Sequence, residues 1–178
     1  MKSLITIKTI KEHNLIKNKI LNIIDSCKGN NFFLKNEATL SDEKISKTDW
    51  HLKDLNLEYK KLINSKIIPY IKENRYTNLI LGDIWFQQYY EGDVHGWHVH
   101  ANCQFSHVYF LELPQKKYAT QFFFDKLIKV NVNEGDLLSF PSHFIHRGPL
   151  IEKNTRKTII AFNSSFDGVN IKYINSKI

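Results

Sequence analysis

The sequence predicts a mainly β domain, a sandwich, jelly roll or barrel, entered through two helices. Two observations carry that prediction. From Leu79 onward "LILGDIWFQQYY", "FSHVYFLEL", "ATQFFF", "LIKVNV", "DLLSF", "RKTIIAFNSSF" and "VNIKYI" are short apolar or alternating runs parted by turn-prone residues, the regular spacing of all-β folds. Before Leu79 the apolar residues recur at helical period instead. A chain of 178 residues is near the commonest size of one domain, and it buries about two-thirds of its unfolded surface on folding. With no internal repeat and no long linker, it reads as a single domain over 1–178, helical to about 78 and a β core over about 79–175.

Each element follows from a local pattern. The opening "LITIKTI" alternates as a strand does. "KEHNLIKNKILNIIDS" places Leu15, Ile16, Ile20, Ile23 and Ile24 on one helical stripe, which needs a sheet to lie against. Residues 27–56 are polar and turn-rich, and read as loop with a short strand. "LNLEYKKLINSKIIPYIKENR" returns to helical period through Leu55, Tyr59, Leu62, Ile63, Ile67 and Tyr70, with Pro69 bending it.

The formal charge is +7, yet 15 of the 25 Lys and Arg fall singly among Asn and Ile in the first 75 residues, and no basic run appears. That is a solvated surface, and a nucleic-acid partner is not expected. Cys27 and Cys103 stand far apart in no metal or disulfide spacing. No apolar stretch of about 18 residues occurs, and charged residues interrupt the start too often for a signal peptide. The expected setting is the cytoplasm, with no membrane partner.

Six of the eight histidines lie between His95 and His146. In "HGWHVH", His98 and His100 are two apart, so an extended backbone sends both side chains to one face, where they converge on one point. A third ligand has to come from a distant strand, and "SFPSHFIHRG" offers His143 and His146. Neutral imidazoles suit Fe, Zn, Cu or Ni, and three protein ligands leave positions open for chemistry. In "NTRKTIIAF", ten residues after His146, Arg156 and Thr158 share a strand face. An inward Arg needs an anion, and its planar fork matches a carboxylate, with the Thr hydroxyl as a further donor. For Trp50, Trp85 and Phe122 to Phe124, core packing is the expectation.

The order "YYEGDVHGWHVH", "SHVYFLELP", "EGDLLSFPSHFIHRG", "RKTIIAFN" resembles the iron(II)- and 2-oxoglutarate-dependent oxygenases of the prolyl-4-hydroxylase-like kind, which include small phage and bacterial members of unknown substrate. That family shows a Tyr-x-Gly lead-in, an HxD pair, a distal His after "FPS" and a trailing RxS or RxT. The resemblance spans Tyr89 to about Phe166. It implies a double-stranded β-helix, a cupin-like jelly-roll barrel with the two helices packed outside. It also implies Fe(II) on His98, His100 and His146, and 2-oxoglutarate with its far carboxylate on Arg156 and Thr158. Tyr90 and Tyr109 become hydroxyls that contact the cosubstrate. The implied activity is O2-dependent hydroxylation of a small-molecule or peptide substrate with release of succinate and CO2.

The departure is His100, where the family has Asp or Glu. A neutral ligand leaves the site one negative charge short. Three solutions stay open: His100 binds the metal, a carboxylate such as Asp93 reaches in, or two protein ligands share the metal with an exogenous anion. Two rivals to the oxygenase reading are a three-histidine dioxygenase that does not use 2-oxoglutarate and a cupin-like module that binds without catalysis. Arg156 is what separates the first rival.

Overall fold

The computed structural model describes residues 4–27, 29–36, 41–50, 58–72, 76–152 and 154–178. Two antiparallel sheets make up most of it. The larger runs β1 (Thr6–Thr9), β9 (Asp136–Pro141), β6 (Phe105–Glu112), β11 (Lys157–Val169), β4 (Tyr76–Tyr89), β3 (Ser41–Thr48) and β2 (Asn30–Asn36) in that spatial order. The smaller runs β5 (His95–His98), β10 (His146–Gly148), β7 (Gln121–Phe124) and β8 (Lys126–Lys129). From β4 on, the chain passes repeatedly from one sheet to the other, as a jelly roll does.

Of the helices, α1 (His13–Ser26) and α2 (Glu58–Lys66) precede β4. Ile16, Ile20 and Ile24 of α1 are buried four positions apart, with Leu21 beside them on the same stripe, as the helical period requires. Leu15, expected on that stripe, is 82% exposed, being turned off it by one residue step of about 100°. Tyr59 and Ile63 bury the matching face of α2. Pro69 then ends the α-helix in a 3-10 turn, Ile68–Ile71.

Every strand of the larger sheet near its centre is apolar on both faces. Ile84, Phe86, Tyr109, Leu111, Ile160 and Phe162 join Ile20, Ile24, Tyr59 and Ile63 in one buried cluster. Tyr89, Val108, Phe110 and Ile159 join Phe122, Phe140 and Phe144 in a second, which spans the two sheets. Full burial of each such side chain contributes about 1.5–3 kcal/mol. Successive residues of β11 therefore serve different cores, Ile160 and Phe162 toward the helices and Ile159 toward the smaller sheet.

Two parts of the sequence reading change. Residues 27–56, read as loop with one short strand, hold a hairpin, β2 and β3, whose inner strand pairs with β4 at Lys47↔Gln88 and Thr48↔Gln87. Their Lys, Asp, Glu and Asn side chains carry no apolar alternation for a strand signal. "VNIKYI" splits between the end of β11 and a short helix, α3 (Ile171–Asn175), capped by the Asn170 side chain accepting from Tyr173 N–H at 3.1 Å. Leu55 lies outside the described residues. Among those described, no helix is long and apolar enough to cross a membrane.

Candidate metal centre

β5 and β10 are short, and their pairing sets His98 directly opposite His146 across the smaller sheet. His100 lies past the end of β5, where its backbone N–H donates to the Ser142 carbonyl at 2.9 Å. The convergence that extended spacing predicts is thus met, but by a strand end and a pinned coil. The rings of His98 and His146 are 4.2 Å apart, His98 and His100 5.2 Å, and His100 and His146 5.1 Å. One ring nitrogen from each lies within 4.8 Å of the others, and metal–imidazole bonds of about 2.1 Å put opposite ligands about 4 Å apart. His143, the other candidate, packs edge-on against Phe144 instead.

The tautomers are set by backbone carbonyls. His98 Nδ1 lies 2.7 Å from the Gly96 oxygen and His146 Nδ1 2.8 Å from that of Phe144. A carbonyl only accepts, so each Nδ1 is the protonated nitrogen and each Nε2 keeps its lone pair for the cluster. Burial pushes the pKa of His98 and His146 down, further for His146 beside His98, and takes His100 to about 4. All three are neutral at neutral pH, the form a metal requires.

Arg156 and Thr158 do not meet these histidines. Both sit on the helix side of β11. Arg156 donates to Glu112 at 2.8 Å and to Asp25 at 3.1 Å, and Thr158 donates to Glu112. The Glu112 bond is the main reason the guanidinium is held still more firmly protonated. The anion expected for Arg156 is therefore two of the protein's own carboxylates. Tyr90 is 42% exposed and hydrogen-bonds Arg156. Tyr109 points among the helices, its hydroxyl 2.7 Å from His13 Nδ1. None of the four faces the cluster.

The residue between them does. Lys157 is 1% exposed, with its ammonium 4.6 Å from the centre of the Tyr89 ring. It lines a recess of about 30 Å³ together with Gln87, Tyr89, His98, His146 and Gly148. Among the described residues no carboxylate pairs with it, and burial alone draws its pKa down to about 7. Gln87 Nε2 and Trp85 Nε1, on the same face of β4, are buried without a hydrogen-bond partner. Native interiors rarely leave such donors unmet.

Outside the histidines the recess opens into a cavity of about 450 Å³, within the usual range for small-molecule sites. Trp85 forms part of its wall, stacked between Trp50 at 6.3 Å and His100 at 6.0 Å. These two tryptophans, expected in the core, thus line the cavity. Phe122 is core, while Phe123 between its neighbours is exposed. Sequence reasoning missed Lys157, Gln87 and Tyr89. Lys157 had a signal, its alternation with Ile159 and Ala161, but Arg156 has the same alternation with Thr158 and Ile160.

No family model and no curated protein matches the sequence. Solved structures do match the coordinates. A 2OG-Fe(II) oxygenase family oxidoreductase from Burkholderia pseudomallei aligns over 95% of this chain and 89% of its own, with TM-score 0.68 at 11% identity. The fold is that of the 2-oxoglutarate- and iron(II)-dependent oxygenases. HygX from Streptomyces hygroscopicus, solved with nickel and 2-oxoglutarate bound, aligns over 91% of this chain and 82% of its own, with TM-score 0.65 at 10% identity. A Trichoplax adhaerens prolyl hydroxylase, solved with a hypoxia inducible factor peptide fragment, aligns over 92% and 84%, with TM-score 0.61 at 16% identity.

Proposed function

We propose that the protein is an iron(II)- and 2-oxoglutarate-dependent dioxygenase that hydroxylates a small molecule or peptide entering the 450 Å³ cavity, with release of succinate and CO2. One observation carries the reading: three neutral imidazoles stand beside a buried ammonium that, among the described residues, has no anion. His98, His100 and His146 would hold the metal through Nε2 of the first and third and a ring nitrogen of His100. Iron there supplies the activation of O2 coupled to oxidative decarboxylation of the 2-oxo acid.

The protein's part is position, charge and dryness. Lys157, not Arg156, takes the far carboxylate, because it alone of the pair reaches the recess. The recess has room for about two waters, which is the size of a carboxylate head. Gln87 Nε2 and Trp85 Nε1 are unmet donors on the same wall. Trp50 and Trp85 shield the histidines on the cavity side, where the substrate's reacting carbon would lie. A likeness in fold to a protein solved with 2-oxoglutarate and nickel supports the same reading.

Anaerobic titration of the protein with Fe(II) and then 2-oxoglutarate, followed by O2 and a succinate assay, tests it. The expected result is the weak visible band that a 2-oxo acid gives on iron(II), and succinate after O2. Iron uptake without 2-oxoglutarate binding would leave a three-histidine dioxygenase, and no iron uptake a non-catalytic binding module.

A further inference from the structure

Three imidazoles bring no negative charge to a divalent cation, and among the described residues one acid shares a ligand group with one of them. Asp93 is not that acid. Its buried carboxylate accepts the Ser46 and Tyr90 backbone N–H groups, both at 2.9 Å, and holds the loop before β5. The same loop is bridged to β3. Lys44 N–H donates to the Val94 oxygen at 2.8 Å and Val94 N–H to the Lys44 oxygen at 2.9 Å. This bridge sits one residue from Glu43 and one from His95, so it fixes both against each other.

The Glu43 side chain is 13% exposed and lines the cavity with His95, His98 and His100. Its Oε1 is 3.7 Å from His95 Nε2. The ligand atoms of Glu43, His95 and His98 lie within 4.8 Å of one another, and His98 belongs to both this group and the triad. His95 stacks on His98 at 3.9 Å. Among the described residues no Lys or Arg pairs with Glu43. A carboxylate withdrawn from water with no cation costs several kcal/mol, and a cation shared with His98 removes that cost.

We propose that Glu43 is an anionic ligand beside the triad: its carboxylate, brought in by β3, coordinates a cation within the group it forms with His95 and His98, which shares His98 with the triad. The inference rests on the reading of the histidines as metal ligands.

Mn(II) titration of the purified protein, with free Mn(II) counted by its electron paramagnetic resonance signal, separates the two. Glu43→Gln keeps size and polarity and removes the charge. It is expected to raise the Mn(II) dissociation constant about 10–100-fold, while the metal-free protein becomes no less stable to heat, since the uncompensated buried charge is gone. At saturating Co(II), the visible ligand-field bands are expected to shift on loss of the oxygen ligand. Equal Mn(II) affinity in wild type and Glu43→Gln, with affinity lost in His146→Ala, overturns the role of Glu43 and leaves the histidine site intact. Weakened affinity with an unshifted Co(II) spectrum also overturns it, since Glu43 would then act only on the fold. A wild-type protein that binds no Mn(II), Co(II) or Fe(II) overturns the histidine site itself.

Discussion

Replacing Lys157 by Met keeps length and apolar bulk and deletes the ammonium, and it should move stability and binding in opposite directions. Burial lowers the lysine pKa from 10.5 to about 7. Since each pKa unit is about 1.4 kcal/mol, the charged form costs the folded, ligand-free protein up to roughly 4 kcal/mol at pH 7. Lys157→Met should remove most of that, raising the melting temperature by several degrees at about 2–4 °C per kcal/mol. The sign is checkable. Between about pH 7 and 10.5 the unfolded chain holds the proton that the folded one has released. Wild-type stability therefore rises with pH across that window, and the variant should lose this slope. Binding should go the other way. Removing one partner of a buried charge pair costs about 2–5 kcal/mol, or about 30-fold to several thousand-fold in 2-oxoglutarate affinity, read by isothermal titration of the metal-loaded protein. The companion, Arg156→Met, breaks the bonds to Glu112 and Asp25. It should cost about 1 kcal/mol or less in stability and leave 2-oxoglutarate affinity within about twofold. If Arg156→Met abolishes binding while Lys157→Met preserves it, the assignment from strand faces is wrong.

Other expectations use the same site. A Cβ on Gly148 would lie 3.6 Å from Lys157 Nζ and 3.6 Å from the Tyr89 hydroxyl, ordinary contacts that fill the space beside the ammonium. Gly148→Ala should therefore fold normally and weaken 2-oxoglutarate on the order of tenfold, the overpacking falling on the ligand. Titrated at pH 7 and then pH 8, wild-type 2-oxoglutarate affinity should fall about fivefold as the free protein's Lys157 gives up its proton, and a flat profile would contradict Lys157 as the anchor. Tyr109→Phe removes the hydroxyl bonded to His13 Nδ1. A loss of about 1–3 kcal/mol in denaturant unfolding is expected, with 2-oxoglutarate binding unchanged.

The histidine cluster was legible in good part because two of its members are local. His98 and His100 are two residues apart, and an extended backbone turns them the same way wherever the strand lies. His146 was legible by its place after an apolar strand and turn. The β2–β3 hairpin was not, since a consecutive Phe32-Phe33-Leu34 run in β2 and a largely polar β3 leave no alternation to read. Glu43 went unread with it, because nothing in the sequence says that residues near 43 lie beside residues near 95.

By itself the sequence determined the mainly β character, the two amphipathic helices and the shared face of His98 and His100, all of which rest on periodicities a few residues long. Only the tertiary structure decided which side of β11 faces the histidines. Both faces of that strand are apolar, one against α1 and α2 and the other against the smaller sheet. Alternation therefore assigns Arg156 and Lys157 to opposite faces without saying which is which. The helices settle it by covering the Arg156 face with Asp25 close by, and they leave Lys157 buried with no anion among the described residues.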